Sequence, residues 1–323
     1  MKIKTIILGL GMVCLQAVVY GCAGSVESAT PTIIAPVPII NTVTTPTVTL
    51  SPIPPLGPSL SPASVPTLSI DEAQMRLLEL LSNNGDCRLP CLWGITPGKS
   101  TYAEAKTILL PLSSISELTG FIRDGGGIFP TFTENKLVLK TVIGFNVDLA
   151  TAARIVQRVG LQASVQKPNN GDFIDVFDSA LFSEWVSFYK LHNILSEQGI
   201  PSSIMLATFG GSLARGSTGG FDILLLYPDQ GILVNYTTQM QLIGSNVRGC
   251  PPNAHVEMEL YPPGNSDSFF AFLEQTDWSV RMTYYKSLEE VTTISPEEFY
   301  QTFREPIDQC IETSANLWPV PEN

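Results

Sequence analysis

Cysteines are the residues whose type and spacing point most directly to chemistry. Six are present, at positions 14, 22, 87, 91, 250 and 310. The last four form an even set, which in an exported chain is typical of disulfide bonds. Four cysteines allow three pairings, of which we favour Cys87–Cys91 together with Cys250–Cys310. The second bond would close a loop of about 60 residues and stabilise the fold by roughly 3–4 kcal/mol.

Metal ligation and catalysis find less support. The gap between Cys87 and Cys91 differs from the two-residue gap usual at zinc sites, and only His192 and His255 could assist. There is no Gly-x-Ser-x-Gly elbow, phosphate loop, His-Glu-x-x-His or helix-loop-helix calcium motif. We expect His192 to pack on a helix and His255 to face solvent on a strand. The sequence therefore predicts no metal, no cofactor and no catalytic residue.

Three residues are candidates for binding. Arg215 lies in the glycine-rich stretch 210–220, whose backbone amides could hold an anion, although a loop between strands is the alternative. Trp93 and Trp318 could form an exposed recognition patch, or else pack in the core. The acidic stretch 169–178 offers oxygen ligands for calcium, but its residues also suit a hairpin turn.

The N-terminus carries a targeting signal. Lys2 and Lys4 precede an uncharged, mostly apolar run, and a glycine stands directly before Cys22. This arrangement resembles a bacterial lipobox, in which the cysteine thiol is acylated, although Tyr20 departs from the usual pattern. The resemblance implies a signal peptide over residues 1–21 and an extracytoplasmic protein anchored through acylated Cys22 to lipid of the cell membrane, or of an outer membrane where one exists. The alternatives are a secretory signal cut elsewhere and an uncleaved membrane helix.

Residues 22–68 form a predicted tether. Ten prolines stand among threonines and serines between positions 31 and 66, and proline removes the backbone donors that a helix or sheet needs. The 323-residue chain has a net charge of −12, which becomes −14 without Lys2 and Lys4. This charge repels nucleic acid and anionic headgroups, so we expect no nucleic-acid partner and an anchor that depends on lipid.

Residues 69–323 predict a globular domain with several helices. Capping boxes at Ser69, Thr101 and Ser295 indicate three helix starts. Apolar periodicity predicts further helices over residues 148–159, 183–198 and 268–275. We expect the last helix to continue to Ile311, with a kink at Pro306.

Apolar runs between turn signals predict the strands. These runs cover residues 136–147, 162–166, 173–177, 203–209, 221–227, 232–238 and 254–261. Turn residues join the second run to the third, and the fifth to the sixth, as hairpins. The expected fold class is α+β, with helices packed on a mainly antiparallel sheet. Two helix-plus-hairpin sub-units, over residues 69–180 and 181–323, are a further expectation.

Two resemblances concern residues 87–105. The Gly-Ile-x-Pro-Gly-x-Ser-Thr-x-x-Glu-Ala part is similar to the loop-to-helix entry of small outer-membrane-assembly lipoproteins and β-lactamase-inhibitor-like repeats. The Cys-x-Leu-Pro-Cys-x-Trp-Gly-Ile part looks like an uncharacterised family of bacterial surface lipoproteins. The resemblance spans about 20 residues of the chain. It implies a short capped helix followed by antiparallel strands, in a protein of the cell envelope.

The sequence thus favours a non-enzymatic binding or envelope-assembly module. Its expected partners are membrane lipid, through acylated Cys22, and an envelope protein or cell-wall component. Two alternatives belong to other classes. A solute-binding lipoprotein would show strand–helix–strand alternation in two lobes, and an envelope hydrolase would bring a pair of acidic side chains or a metal together in a cleft.

Overall fold

The computed structural model describes residues 67–169, 172–177, 179–209, 219–264 and 266–318. The helices are α1 (Ile70–Asn83), α2 (Tyr102–Leu109), α3 (Ala180–Trp185), α4 (Leu191–Gln198), α5 (Ser266–Leu273), α6 (Trp278–Arg281), α7 (Leu288–Val291) and α8 (Pro296–Phe303). The strands are β1 (Ser116–Ile122), β2 (Gly125–Glu134), β3 (Leu137–Val147), β4 (Val156–Asn169), β5 (Asp172–Asp175), β6 (Ser203–Phe209), β7 (Gly220–Tyr227), β8 (Ile232–Gln239), β9 (Gln241–Ile243), β10 (Asn246–Gly249), β11 (His255–Leu260), β12 (Lys286–Ser287) and β13 (Ile311–Ser314). The predicted α+β class is confirmed.

Local sequence sets the helix ends. Ser69, Thr101 and Ser295 each accept a hydrogen bond from the backbone of the glutamate three residues later, whose carboxylate bonds back to the cap. The three predicted capping boxes are therefore confirmed. Helix α1 stops at Asn84, which adopts the left-handed conformation (φ 57°) that asparagine tolerates better than most residues.

Ten strands form one sheet in the order β1-β2-β3-β4-β11-β8-β7-β6-β12, with β5 paired to β4. Every pairing among these strands is antiparallel. Both predicted hairpins, β4–β5 and β7–β8, are present. The second turns through Gly231, whose φ of +69° suits glycine. Because β4 pairs with β11, the strands before and after residue 180 belong to the same sheet.

Helices cover the two faces of the sheet unequally. The larger core lies on one face, where α1, α2, α3, α4, α7 and α8 pack against apolar side chains such as Val256 and Met258 of β11. On the other face, a smaller cluster unites Phe269 of α5 and Trp278 of α6 with Leu224 of β7 and Leu233 of β8. Since successive strand residues point to opposite faces, the helices among the described residues cover this second face where β6, β7 and β8 lie under α5 and α6.

Three helix predictions were wrong in their extent. No helix covers residues 148–159, because Val156, Val159 and Leu161 are buried in strand β4. Residues 183–198 fall into α3 and α4, separated by a short 3-10 helix at Ser187–Tyr189. Helix α8 ends at Phe303, and Ile311 pairs with Gly249 in a strand.

The disulfides join Cys87 to Cys91 and Cys250 to Cys310, which is the favoured pairing. Cys250 and Cys310 flank the paired residues Gly249 and Ile311 in a separate three-stranded sheet of order β13-β10-β9. The second disulfide therefore fixes the end of the β10–β13 pairing, and with it the position of residues 315–318 that follow β13.

Candidate functional site

An open cleft lies on the less covered face of the large sheet. It has a volume of about 1460 Å³ and is lined by side chains of β3, β4, β11, β8 and β7. The β4–β5 hairpin and the segment 277–285 also contribute to its walls. Because the larger helical layer occupies the opposite face, a ligand can reach the central strands from this side.

Polar side chains of four neighbouring strands form the cleft floor. Gln162 on β4 is paired with Glu257 on β11, and both line the cleft; Asn235 on β8, the other partner of Glu257, is buried on the same face and does not line the cleft. One pair further along the strands, Thr237 on β8 stands opposite Asp222 on β7. Since directly paired residues point to the same face, these side chains project together. Central strands covered on both faces are normally apolar, so this set of polar residues marks the face as a candidate site.

Asp222 is held rigidly in the floor. Only 3% of the residue is exposed. Thr237 donates its hydroxyl hydrogen to Oδ1 at 2.6 Å, and Tyr285 donates its own to Oδ2 at 2.6 Å. Burial raises the pKa of the Asp222 carboxyl above its ordinary value, while the hydrogen bonds from Thr237 and Tyr285 act in the opposite direction. Both carboxyl oxygens are thus engaged within the protein.

Arg281 is oriented by two partners in the same region. Its Nη1 atom lies 2.9 Å from Glu257 Oε1 and 2.8 Å from Glu257 Oε2. Its guanidinium carbon lies 3.7 Å from the ring centroid of Trp278, which is fully buried. The Arg281 side chain remains 32% exposed. A planar cation is therefore fixed at the cleft, with its charge compensated and part of its surface open to a ligand.

A second ion pair supports the floor further along β11. Arg158 Nε and Nη2 lie 2.5 and 2.9 Å from the two carboxylate oxygens of Glu259. Burial raises the pKa of Glu259, and the charge of Arg158 opposes this effect. Gly160, which pairs with Glu259, leaves room for the carboxylate, because a Cβ atom there would lie 3.0 Å from Oε1.

Exposed aromatic rings stand at the margin of the cleft. Phe173 on β5 is 57% exposed, Phe209 at the end of β6 is 51% exposed, and Tyr284 after α6 is 66% exposed. These side chains belong to peripheral elements, whereas the polar floor belongs to central strands. The cleft therefore has polar side chains on its floor and exposed aromatic rings at its rim.

His255 does not face solvent, so that expectation was wrong. The residue is 8% exposed, and its ring stacks on Phe177 with centroids 4.6 Å apart. Its Nε2 atom lies 3.3 Å from Val165 N and 3.2 Å from Val176 O. The chain that follows β5 covers this end of β11, a long-range contact that alternation along one strand cannot reveal. Burial lowers the pKa of His255, and it also lowers that of the half-buried His192.

The two tryptophan candidates are both buried, so the predicted exposed patch was wrong. Trp93 is 3% exposed and donates its indole hydrogen to the Tyr189 hydroxyl at 2.9 Å. Trp318 is 5% exposed and donates to Thr313 Oγ1 at 2.6 Å. In both cases a nearby hydroxyl satisfies the one polar group of an otherwise apolar ring, which permits burial. Both rings belong to the larger core cluster, and Trp318 also lines the cleft.

Other candidates fall outside the part of the chain that the structure describes. These are Cys22 and Arg215, together with positions 170, 171 and 178 of the acidic stretch proposed for calcium. Among the described residues, no group of three or more His, Cys, Asp or Glu side chains is placed to hold a metal ion. Within those same ranges, no helix is long and apolar enough to cross a membrane.

Sequence reasoning missed the residues that build the cleft. Asp222 was available as a signal, because it is the one polar side chain in the apolar run of β7, and Asn235 interrupts the apolar first half of β8 in a similar way. Their partner Tyr285 had no comparable signal, since it reaches Asp222 from 63 residues away.

Comparisons with models of protein families, with curated proteins and with solved structures find no match to this chain.

Proposed function

We propose that the protein is a lipid-anchored, extracytoplasmic binding module that holds its ligand in the open cleft. The observation that carries this proposal is the cleft itself, with its prearranged polar floor and its exposed aromatic rim. Floor side chains that are already oriented by internal contacts lose little conformational entropy when a ligand arrives. When a ligand covers large exposed aromatic side chains, their apolar surface leaves water, which favours binding.

The size of the cleft favours an extended ligand. Sites for small molecules usually measure about 300–1,000 Å³ and bury most of the ligand surface. This cleft has about 1460 Å³ and lies open along the sheet. A polymer or a macromolecular segment that lies across the central strands would contact floor and rim together.

The anchor is the second part of the proposal, and its support comes from the sequence around Cys22. Two or more acyl chains give stable membrane attachment, and the proline-rich tether over residues 22–68 would hold the cleft away from the bilayer. Labelled palmitate should enter the full-length protein and should be lost in Cys22→Ala. Labelling that persists in Cys22→Ala would contradict the anchor.

Photocrosslinking tests the cleft in the full-length, membrane-bound protein. A benzophenone amino acid replaces exposed Gln162 in the floor, and a matched variant carries it at Met75, which is 65% exposed on α1. We expect a discrete adduct from position 162 that position 75 does not form, and we expect Arg281→Ala to reduce it. No adduct, or equal adducts from both positions, would contradict a ligand in the cleft.

A hydrolase is the second candidate, because one observation favours it. Asp222 and Glu257 both line the cleft, and burial raises the pKa of Asp222 as in many catalytic carboxyls. The occupied oxygens of Asp222 and the pairing of Glu257 with Arg281 favour binding instead. A captured ligand that is recovered intact after prolonged incubation would support binding, whereas cleavage that Asp222→Asn abolishes would support the hydrolase.

A further inference from the structure

We infer that the ligand of the cleft is a neutral, hydroxyl-rich glycan chain; this inference rests on the proposed binding function and names the ligand class. Three features of the cleft support this ligand class: the charges of its lining, the hydrogen-bonding groups that it leaves open, and the position of its aromatic rings.

The charges that line the cleft nearly balance, because three cationic side chains stand with four carboxyls: Lys140, Lys167 and Arg281 with Asp175, Asp222, Glu257 and Asp277. Glu257 is paired with Arg281, and Asp222 accepts two hydroxyl donors. Towards the hairpin, Asp175 accepts a hydrogen bond from Gln166 Nε2 at 3.1 Å. Because neither sign dominates, a strongly charged ligand would gain little from the lining as a whole, even though Lys140 and Lys167 make no ion pair within the described residues. A polyanion would also be repelled by the net charge of −12. These contacts favour a ligand without net charge.

The open polar groups suit hydroxyl ligands. Within the described residues, the side chains of Gln162 and Gln239 line the cleft and make no hydrogen bond to protein. Each amide offers an acceptor oxygen and two donor hydrogens, and the exposed part of Arg281 adds further donors. A sugar hydroxyl both donates and accepts, so adjacent hydroxyls on a pyranose ring match such planar side chains.

The position of the aromatic rings separates a glycan from a polypeptide. Protein interfaces usually place apolar and aromatic residues at the centre and polar residues at the rim. Here the exposed rings of Phe173, Phe209 and Tyr284 stand at the margin, and hydrogen-bonding side chains lie on the floor between them beside apolar ones such as Val142. The electron-rich face of an aromatic ring attracts the positively polarised C–H groups of a sugar face. The aromatic rings at the rim would thus contact the C–H face of a sugar ring, and the hydrogen-bonding groups of the floor would bind its hydroxyls.

Titration of full-length, detergent-solubilised protein with defined oligosaccharides tests this inference. The probes are hexamers of β-1,4-linked N-acetylglucosamine, glucose and mannose, with a polygalacturonate hexamer as the anionic comparison. We expect at least one neutral hexamer to bind and polygalacturonate to bind more weakly. Phe173→Ala and Tyr284→Ala should each weaken binding about three- to tenfold, the effect of losing one aromatic contact.

Phe270→Ala is the matched control, because Phe270 is 43% exposed on α5 but does not line the cleft. Its affinity should equal that of the wild type. The inference is overturned if no neutral hexamer binds, or if Phe270→Ala weakens binding as much as the rim variants. A peptide adduct from the benzophenone at position 162 would also overturn it, while leaving the proposed binding function in place.

Discussion

The Tyr285 hydroxyl donates a hydrogen bond to Asp222 Oδ2 at 2.6 Å across 63 residues of chain. This contact attaches the segment after α6 to the central strand β7 and completes one wall of the cleft. The same hydroxyl lies 3.3 Å from Asn235 Oδ1, so a single phenol contacts polar groups of two neighbouring strands. Tyr285 thereby couples the position of the wall to the floor that it borders.

Removal of this hydroxyl should destabilise the protein. Tyr285→Phe leaves the buried Asp222 carboxyl with one hydroxyl donor fewer, and we expect the free energy of unfolding to fall by about 1–3 kcal/mol. Urea denaturation measures the change. Tyr284→Phe is the neighbouring control, because Tyr284 is 66% exposed, and we expect a change below about 0.5 kcal/mol. Equal losses in the two variants would contradict a stabilising role for the Tyr285–Asp222 bond.

Replacement of Gly160 should disturb the ion pair between Arg158 and Glu259. Gly160→Ala places a Cβ atom 3.0 Å from Glu259 Oε1, a buried carboxylate with little room to move. We expect a loss of about 1–3 kcal/mol in thermal or urea denaturation. Gly144→Ala is the control, since Gly144 pairs directly with Gly160 and its Cβ would meet its nearest neighbour at 3.7 Å, an ordinary contact. A larger loss in Gly144→Ala than in Gly160→Ala would refute the steric argument.

Asn84 should stabilise the folded protein through its side chain as well as through its backbone conformation. Its Nδ2 atom donates to Cys87 O at 2.7 Å and to Cys91 O at 2.8 Å, and its Oδ1 atom accepts from Tyr189 at 2.8 Å. Asn84→Gly keeps the left-handed φ accessible and removes only the side chain, so we expect a loss of about 2–4 kcal/mol.

Asn84→Ala should lose about 1 kcal/mol more, because alanine also resists the left-handed conformation. Parallel urea denaturation of the two variants measures both effects. If Asn84→Gly were as stable as the wild type, the hydrogen bonds would contribute nothing and this interpretation would fail.

His255 should make the stability depend on pH. Burial lowers its pKa in the folded state, whereas the unfolded chain takes up a proton near the ordinary value of about 6.5. As the pH falls below that value, the unfolded state binds more protons and the free energy of unfolding decreases. At higher pH both states are neutral, and this contribution is constant.

His255→Gln removes this titration. We therefore expect its deficit in free energy of unfolding relative to the wild type to shrink as the pH falls from about 7.5 to about 5. Urea titrations across that range measure the difference. His192→Gln provides a comparison, because His192 is less buried and should show a smaller effect. A deficit for His255→Gln that stays constant with pH would disprove the assignment.

Local interactions account for the features that the sequence predicted well. The capping box at Ser69 involves residues three positions apart, and the β7–β8 turn at Gly231 depends on one glycine with positive φ. The features that it missed depend on contacts between distant residues. His255 is buried by the chain after β5, and Asp222 meets a tyrosine from another element. Periodicity describes which face a residue occupies, but it does not reveal what covers that face.

The insertion of β11 between β4 and β8 also sets an order of assembly. During synthesis, β1 to β4 and then β6 to β8 can each pair with neighbours already present, but the two groups share no strand pair until residues 255–260 emerge. Gln162, Glu257 and Asn235 become adjacent only at that late step. The two halves of the cleft floor therefore meet only when β11 is in place, and ligand binding would report that nearly the whole sheet has reached its native topology.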